Sequence, residues 1–219
     1  MHGYLADKNS FAYQIPFFSR DFDVHAIDLK GFGENVGMEY PYSLDDYVDQ
    51  VKRYVLSHGI VGAHVIAHSF GGRIALKLAY NSPNIFDKLV LTGSAGLKPK
   101  RSVKYRLKRF AFSTLSLFIK KEKLTKFYSR DYLALDPIMR ESFKKIVGEY
   151  LDYTLGGIEN STLIINGEKD KETPLYTAYR LKKGIKNSQL IIIKNAGHFA
   201  FIDSPVKFNT EVKEFLLST

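Results

Sequence analysis

The chain has 219 residues, of which 45% are hydrophobic and 25% charged, and this balance predicts one sizeable globular domain with room for a small insertion. It contains no cysteine, which excludes disulfide bonds, a thiol nucleophile and a cysteine-ligated zinc site. The net charge is +9, and residues 96–126 alone carry eleven lysines and arginines against one glutamate, so the basic character belongs to one segment.

Five short apolar runs, separated by helical patterns, predict an α/β protein with a mainly parallel sheet that helices cover on both faces. In chain order, the runs are residues 23–28, 64–68, 88–92, 162–166 and 190–193. Short runs rich in apolar and β-branched residues are typical of strands that are buried on both faces.

Helices are predicted between these runs from their caps and apolar stripes. Ser43 is placed to cap a helix that Gly59 ends. A second helix is expected to begin just after Ser69 and to stop before residues 82–83. A last helix is expected to begin at residues 204–205, where a serine precedes a proline in the first helical position.

Residues 98–157 interrupt this alternation. The segment is basic and mostly helical in pattern, and it shows no clear strand, so it predicts a helical cap inserted between the third and fourth runs. The predicted core is then residues 1–97 and 158–219. The apolar face of the cap supplies four candidates for lining a substrate pocket, namely Leu107, Phe110, Leu115 and Phe118.

Residues 67–71 read Ala-His-Ser-Phe-Gly between a predicted strand and a predicted helix. A nucleophilic serine on such a sharp turn needs small residues two positions before and after it, because the backbones pack tightly there. Ala67 and Gly71 meet this need, and Gly72 allows further close packing, so Ser69 is the candidate nucleophile. The alternative is a glycine-rich turn that holds phosphate, but the lysine of a P-loop and the spacing of a dinucleotide motif are missing.

An acid and a histidine follow the later runs in the order of a nucleophile-elbow hydrolase. A hydroxyl is a poor nucleophile until an imidazole takes its proton and a carboxylate orients that imidazole. Asp170 follows the fourth run and His198 the fifth, which makes them the candidate acid and base. The alternative roles are a solvated loop aspartate and a packed core histidine. The rival acids are Asp152 and Asp203.

His64 and His68 have the spacing of a metal pair on a helix. On a strand, however, four residues span about 13 Å, so no metal site is predicted from them. His68 is expected instead to shape the turn that carries Ser69.

Together these motifs resemble the α/β-hydrolase fold, in the group of serine hydrolases with a helical cap. The similarity covers nearly the whole chain. Residues 2–3 (His-Gly) resemble the family's oxyanion loop, and residues 28–33 (Asp-Leu-Lys-Gly-Phe-Gly) resemble its D-x-x-G-x-G turn. Residues 68–72, 167–170 and 197–199 match the segments that carry the nucleophile, the acid and the base.

The resemblance implies hydrolysis of a small carboxylic ester or related acyl compound through an acyl-enzyme, with no cofactor. The oxyanion hole would be formed by the backbone N–H groups of Tyr4 and Phe70, and Gly3 would support the same loop. Ser69 argues against dehalogenase and epoxide-hydrolase chemistry, which uses an aspartate nucleophile in this fold. Thioesterase, carbon–carbon bond hydrolase and iminopeptidase activities use the same triad and stay open.

The chain departs from the family pattern at its start. In the family, a strand precedes the His-Gly loop and lies between the strands that match residues 23–28 and 64–68, but here Met1 directly precedes His2. The predicted fold is therefore N-terminally shortened, and an empty slot would leave backbone groups unpaired. A non-catalytic or truncated member of the family is the alternative function, and a homodimer that repairs the sheet stays open.

The basic segment 96–126 raises a third function, a module that binds an anionic surface. Lysine-rich helical stretches are usually solvated and no nucleic-acid motif is present, so no specific nucleic acid is expected, and an anionic membrane surface stays open as a partner. The expected partner is a small acyl substrate. No apolar run approaches a membrane span and no signal peptide precedes the first motif, so a cytoplasmic location is expected.

Overall fold

A computed structural model describes residues 1–100 and 135–218 of the chain. Its centre is a parallel sheet of four strands in the order β1-β2-β3-β4. The strands are β1 (Ala63–His68), β2 (Phe86–Thr92), β3 (Thr162–Gly167) and β4 (Ser188–Ile193). Four of the five predicted strands are thus confirmed. Their apolar character follows from burial on both faces, and in β3 all six residues are buried.

Helices connect the strands and cover the sheet. They are α1 (Gln14–Phe18), α2 (Leu44–Ser57), α3 (Phe70–Asn81), α4 (Pro137–Gly148), α5 (Leu175–Gly184), α6 (Ala200–Asp203) and α7 (Pro205–Leu217), with 3-10 turns at Lys8–Phe11 and Leu155–Gly157. Ser43 caps α2 as predicted, because its hydroxyl accepts from the Asp46 N–H while the Asp46 carboxylate accepts from the Ser43 N–H. In the described part of the chain, no helix combines the length and apolar character needed to cross a bilayer.

The hydrophobic core has two layers, one on each face of the sheet. Successive strand residues point to opposite faces, so Leu89 and Leu91 of β2 join the cluster that includes α2, α3 and α5. Val90 between them joins the other cluster, which α6 and α7 complete. The sheet is thus packed on both faces. Because its strands are parallel, the carboxyl ends of all four lie at the same edge.

The predicted strand at residues 23–28 is wrong, because the structure assigns these residues to no strand. A strand needs a neighbour that completes its ladder of hydrogen bonds, and none of the described residues forms such a ladder with this segment. An apolar cleft of about 340 Å³ is found there instead, and both residues 23–27 and residues 62–66 line it.

The first residues of the chain pair with the carboxyl half of β1. The Met1 amine donates to the Ile66 carbonyl at 2.7 Å, and the His68 N–H donates to the Met1 carbonyl at 3.0 Å. His2 anchors the next turn, since its Nε2 accepts from the Leu29 N–H at 3.0 Å. Residues 1–3 are thereby held beside the Ser69 turn, although within residues 1–100 and 135–218 no complete strand fills the slot.

Candidate active site

Ser69 joins β1 to α3 in a backbone conformation that side-chain-bearing residues rarely adopt. Its φ is 49° and its ψ is −105°. Such a conformation costs roughly 1–3 kcal/mol and persists only where the surroundings enforce it. Here the Ser69 N–H donates to the Thr92 carbonyl at 3.1 Å, and the Ala95 N–H donates to the Ser69 carbonyl at 3.1 Å. The end of β2 therefore holds the turn in place.

The small residues around Ser69 lie at close backbone contacts. A Cβ on Gly71 would stand 2.6 Å from the Met1 carbonyl oxygen, and a Cβ on Gly72 would overlap the Ser94 side chain. Ala67, two positions before the serine, is fully buried. Larger side chains at these positions would push α3 away from the start of the chain and from the loop after β2.

His68 connects the Ser69 turn to the loop that carries His198. Its Nε2 donates to the His198 carbonyl at 3.1 Å, and the two ring centroids are 4.6 Å apart. Burial lowers the pKa of His68 to about 3, so the ring stays neutral with its proton on Nε2. Gly3 packs against the same ring, since a Cβ there would lie 2.9 Å from His68 Nδ1.

Asp170 and His198 form a hydrogen-bonded pair at the carboxyl edge of the sheet. Asp170 Oδ2 lies 2.9 Å from His198 Nδ1. The Asp170 side chain is fully buried, whereas 13% of the His198 side chain is exposed. Burial acts to raise the pKa of Asp170, but hydrogen bonds from His198 and Thr173 outweigh it and leave that pKa below its ordinary value. With Nδ1 as the donor, the neutral ring of His198 carries its basic lone pair on Nε2.

The loop after β2 lies between the serine turn and this pair. Gly93 has a φ of +50°, and its N–H donates to the Ile165 carbonyl of β3 at 3.1 Å. A Cβ on Gly93 would come within 3.1 Å of His198 Nδ1. Ser69, Asp170 and His198 each follow the carboxyl end of a parallel strand and thus lie at one edge of the sheet.

The two rival acids are engaged elsewhere. Asp152 forms an ion pair with Arg180 and accepts from the Lys98 N–H. Asp203 accepts from the Gly197 N–H at 2.7 Å, which fixes the backbone of the loop just before His198. Of the three acids, Asp170 is the one that is hydrogen bonded to the His198 ring.

The two predicted oxyanion donors belong to the first turn of α3 and to the loop that follows His2. Phe70 is the first residue of α3, where a backbone N–H has no partner within the helix and the helix dipole favours negative charge. The Tyr4 loop is fastened to α4, because the Tyr4 hydroxyl donates to the Met139 carbonyl at 2.9 Å. The Tyr4 ring also packs edge-on against three phenylalanines, namely Phe32, Phe70 and Phe143.

The four predicted pocket residues, namely Leu107, Phe110, Leu115 and Phe118, lie outside the described residues. His64, near the start of β1, has its Nδ1 at 3.3 Å from an Asp87 carboxylate oxygen, away from the turn that follows His68. Among residues 1–100 and 135–218, no group of three or more histidines and carboxylates is placed to hold a metal ion.

Sequence reasoning did not identify two contacts of the site. One is the bond from His68 to the His198 carbonyl, which joins residues 130 positions apart and leaves no local pattern. The other is the Thr173 hydroxyl, which donates to Asp170 Oδ2 at 2.7 Å. A signal for it does exist, because a threonine three residues after an aspartate can bond back to it within a turn.

Three comparisons relate the chain to known proteins. A family model described as alpha/beta hydrolase fold matches residues 1–112 and 98–205. The chain is 25% identical to the AB hydrolase superfamily protein YisY of Bacillus subtilis, over 98% of this chain and 89% of that protein. It is 26% identical to the 2-hydroxymuconate semialdehyde hydrolase of a Pseudomonas strain, over 92% of this chain and 79% of that protein. Its structure is similar to that of the esterase EaEST from Exiguobacterium antarcticum, with a TM-score of 0.79, 22% identity, and coverage of 100% of this chain and 90% of the esterase.

Proposed function

The chain belongs to the α/β-hydrolase fold family, and on that basis we propose that it is a serine hydrolase that cleaves a small carboxylic ester or related acyl compound. Ser69 is the nucleophile, His198 the general base and Asp170 the residue that orients His198. The observation that carries this proposal is the bond from His198 Nδ1 to the buried Asp170 carboxylate, on the same sheet edge as a serine with positive φ.

The geometry supports acyl transfer in two steps. The Ser69 hydroxyl attacks the acyl carbon while His198 Nε2 takes its proton, and the imidazolium is stabilised by Asp170. His198 then gives this proton to the leaving alkoxide, and an ester bond joins the acyl group to Ser69. A water molecule attacks that ester with His198 again as base, which releases the acid and restores the serine.

Charge on the substrate oxygen is stabilised by backbone donors. We assign the N–H groups of Phe70 and Tyr4 to this role, each contributing roughly 3–4 kcal/mol in the transition state. The Phe70 N–H is oriented by α3, which follows the serine directly. The Tyr4 loop is oriented by the hydrogen bonds of His2 and by the Tyr4 hydroxyl on α4.

A panel of chromogenic esters with increasing acyl length tests the proposal, together with labelling by a fluorophosphonate. We expect the wild-type protein to hydrolyse short esters and to be labelled at Ser69. Ser69→Ala should lower the rate by about 10⁴–10⁶ and abolish labelling while the melting temperature hardly changes. Ser82→Ala is the matched control, because Ser82 caps the other end of α3 and its loss leaves the site intact. Turnover of Ser69→Ala above about a tenth of the wild-type rate would contradict the assignment.

A carbon–carbon bond hydrolase is the second candidate. It is favoured by the relative named 2-hydroxymuconate semialdehyde hydrolase, which is similar over 92% of this chain. That chemistry differs in its leaving group, which is a carbanion equivalent that must be protonated at carbon. Supplying 2-hydroxymuconate semialdehyde and following the loss of its dienoate absorbance separates the two functions. A kcat/KM far above that of the best ester would favour carbon–carbon cleavage.

A further inference from the structure

Thr173 touches both members of the Asp170–His198 pair. Its hydroxyl donates to Asp170 Oδ2 at 2.7 Å, and the same oxygen lies 3.4 Å from His198 Nδ1. The side chain is buried in the turn between β3 and α5, with 7% of the residue exposed. A hydroxyl at this distance from a buried carboxylate forms a strong, charge-assisted hydrogen bond.

The two carboxylate oxygens of Asp170 receive different donors. Oδ1 accepts from the backbone N–H groups of Glu172 and Thr173, each at 2.9 Å. Oδ2 accepts from the Thr173 hydroxyl at 2.7 Å and from His198 Nδ1 at 2.9 Å. The backbone hydrogen bonds fix Oδ1 in the turn. The Thr173 hydroxyl binds Oδ2 and therefore influences the position from which Oδ2 accepts the hydrogen bond of the imidazole.

We propose that Thr173 is a positioning residue for the reaction. Its hydroxyl holds Asp170 Oδ2 where this oxygen can accept a straight hydrogen bond from the His198 Nδ1–H. This inference rests on the proposed function of the Ser69, Asp170 and His198 site. Without the hydroxyl, the carboxylate can rotate about its remaining backbone bonds and Oδ2 gains a vacant acceptor site. Its bond to His198 then changes in length and strength, and the imidazole is less well aimed at the serine.

The experiment replaces Thr173 with valine, which keeps the shape and the backbone N–H but removes the hydroxyl. We expect kcat for the best ester to fall by about 10-fold while KM stays within about two-fold, because substrate contacts are untouched. Thr173→Ser restores the donor and should restore most of the rate. Thr177→Val is the matched control, since the Thr177 hydroxyl donates to the Pro174 carbonyl at the start of α5 and not to either member of the pair.

A spectroscopic readout separates positioning from a loss of packing. The His198 Nδ1 proton, shared with a carboxylate, gives a low-field resonance in the proton NMR spectrum, identified by its loss in His198→Asn. We expect this resonance to shift in Thr173→Val, to return in Thr173→Ser and to stay in place in Thr177→Val. The rings of His68 and Phe199, which pack near the His198 ring, are the same in all these variants.

The outcomes also separate this inference from the proposed function. A wild-type protein that hydrolyses no ester and resists the fluorophosphonate contradicts the proposed function, while the resonance still reports on the role of Thr173. An active wild-type protein whose Thr173→Val variant keeps its kcat and its resonance position overturns the inference. The inference is also overturned if Thr177→Val moves both readouts as much as Thr173→Val does.

Discussion

At the scale of single residues, the candidate site combines one strained residue with one well-bonded pair. Ser69 has a positive φ that only its surroundings can enforce, whereas the Asp170 carboxylate accepts hydrogen bonds from three residues. Strain places the nucleophile where a substrate can reach it, and the bonds keep the acid ionised and the base oriented. The Ser69 turn depends on distant residues at the end of β2 and in the loop after it, whereas two of the three donors to Asp170 lie within three positions of it in the sequence.

Asp170→Asn should lower kcat strongly, by up to about 10⁴-fold, because an amide cannot stabilise the imidazolium and can favour the wrong tautomer of His198. The ester assay measures this effect. Asp152→Asn and Asp203→Asn are the matched controls, and each should keep most of the activity. If one of them loses as much activity as expected for Asp170→Asn, the acid has been assigned to the wrong residue.

Gly71→Ala should destabilise the protein, because its Cβ would stand 2.6 Å from the Met1 carbonyl oxygen. Relief of that overlap must move either α3 or the first residues of the chain. We expect a loss of about 1–3 kcal/mol in the free energy of unfolding, measured by denaturant titration. Gly148→Ala is the control, since a Cβ at the end of α4 meets no described atom within 4 Å. Equal stability of the two variants would show that the contact at Gly71 is easily relieved.

At the scale of elements, α3 connects the serine turn to α4. Arg73 donates from one nitrogen, Nη1, to the Ile146 carbonyl at 3.0 Å and to the Glu149 carbonyl at 2.7 Å, near the end of α4. Lys77, one turn further along α3, lies 2.7 Å from both the Asp45 and Glu149 carboxylates. The helix that follows the nucleophile therefore also satisfies the terminal carbonyls of the helix to which Tyr4 is fastened.

Arg73→Met should loosen this connection, because the Glu149 carbonyl loses its bond to the arginine and the Ile146 carbonyl keeps only the longer bond from the Glu149 N–H. We expect a loss of roughly 2–4 kcal/mol in the free energy of unfolding. Hydrogen exchange should become faster in α4 but not in the strands. Arg53→Met, at an exposed position on α2, is the matched control and should change neither quantity. Unchanged exchange in α4 for Arg73→Met would contradict the role assigned to the arginine.

At the scale of the whole molecule, the side of β1 that faces away from β2 is bordered by Met1 and by a cleft. The Met1 amine takes the position of a ladder donor on β1, and burial lowers its pKa from 8.0 to about 5. The cleft of about 340 Å³ lies beside residues 63–66 of the same strand. Burial thus favours the neutral form of the amine, because a charged group there would lose its hydration.

The stability of a chain that begins at Met1 should fall as the pH falls from 8 to 5. In this range the unfolded amine takes up a proton that the folded amine does not, so the free energy of unfolding decreases, by up to roughly 4 kcal/mol for a shift of this size. An extended protein with an apolar strand ahead of Met1 has a peptide N–H there and should lack this part of the pH dependence. It should also be more stable at pH 7, because the cleft is filled.

Denaturant titrations of both proteins at pH values of about 5.5, 7 and 8.5 measure how the free energy of unfolding of each depends on pH. Their rates of ester hydrolysis show whether the extension also improves catalysis through the Tyr4 loop. All other titrating groups are common to the two proteins, so parallel pH profiles would contradict the prediction. Sedimentation of the shorter protein tests the homodimer, because a second copy that covers the cleft would appear as a doubled mass.

The local features of this protein could be predicted from its sequence. Buried parallel strands require uninterrupted apolar runs, the capping box of α2 is a short-range hydrogen-bond pattern, and the sharp turn at Ser69 requires Ala67 and Gly71. The order of Ser69, Asp170 and His198 after three strands also placed them on one edge, since parallel strands all end on the same side.

Tertiary structure alone decided the rest. Residues 23–28 have the composition of a strand, yet no strand forms, because strand pairing requires a neighbour that composition cannot provide. Met1 instead makes backbone hydrogen bonds to β1, on the side where residues 23–28 were expected to lie in the sheet. The hydrogen bond from His68 to the His198 carbonyl joins residues that are 130 positions apart. Periodicity and capping act over a few residues, so they can be read along the chain. Sheet pairing and hydrogen bonds between loops depend on which segments meet in space, and only the folded chain determines that.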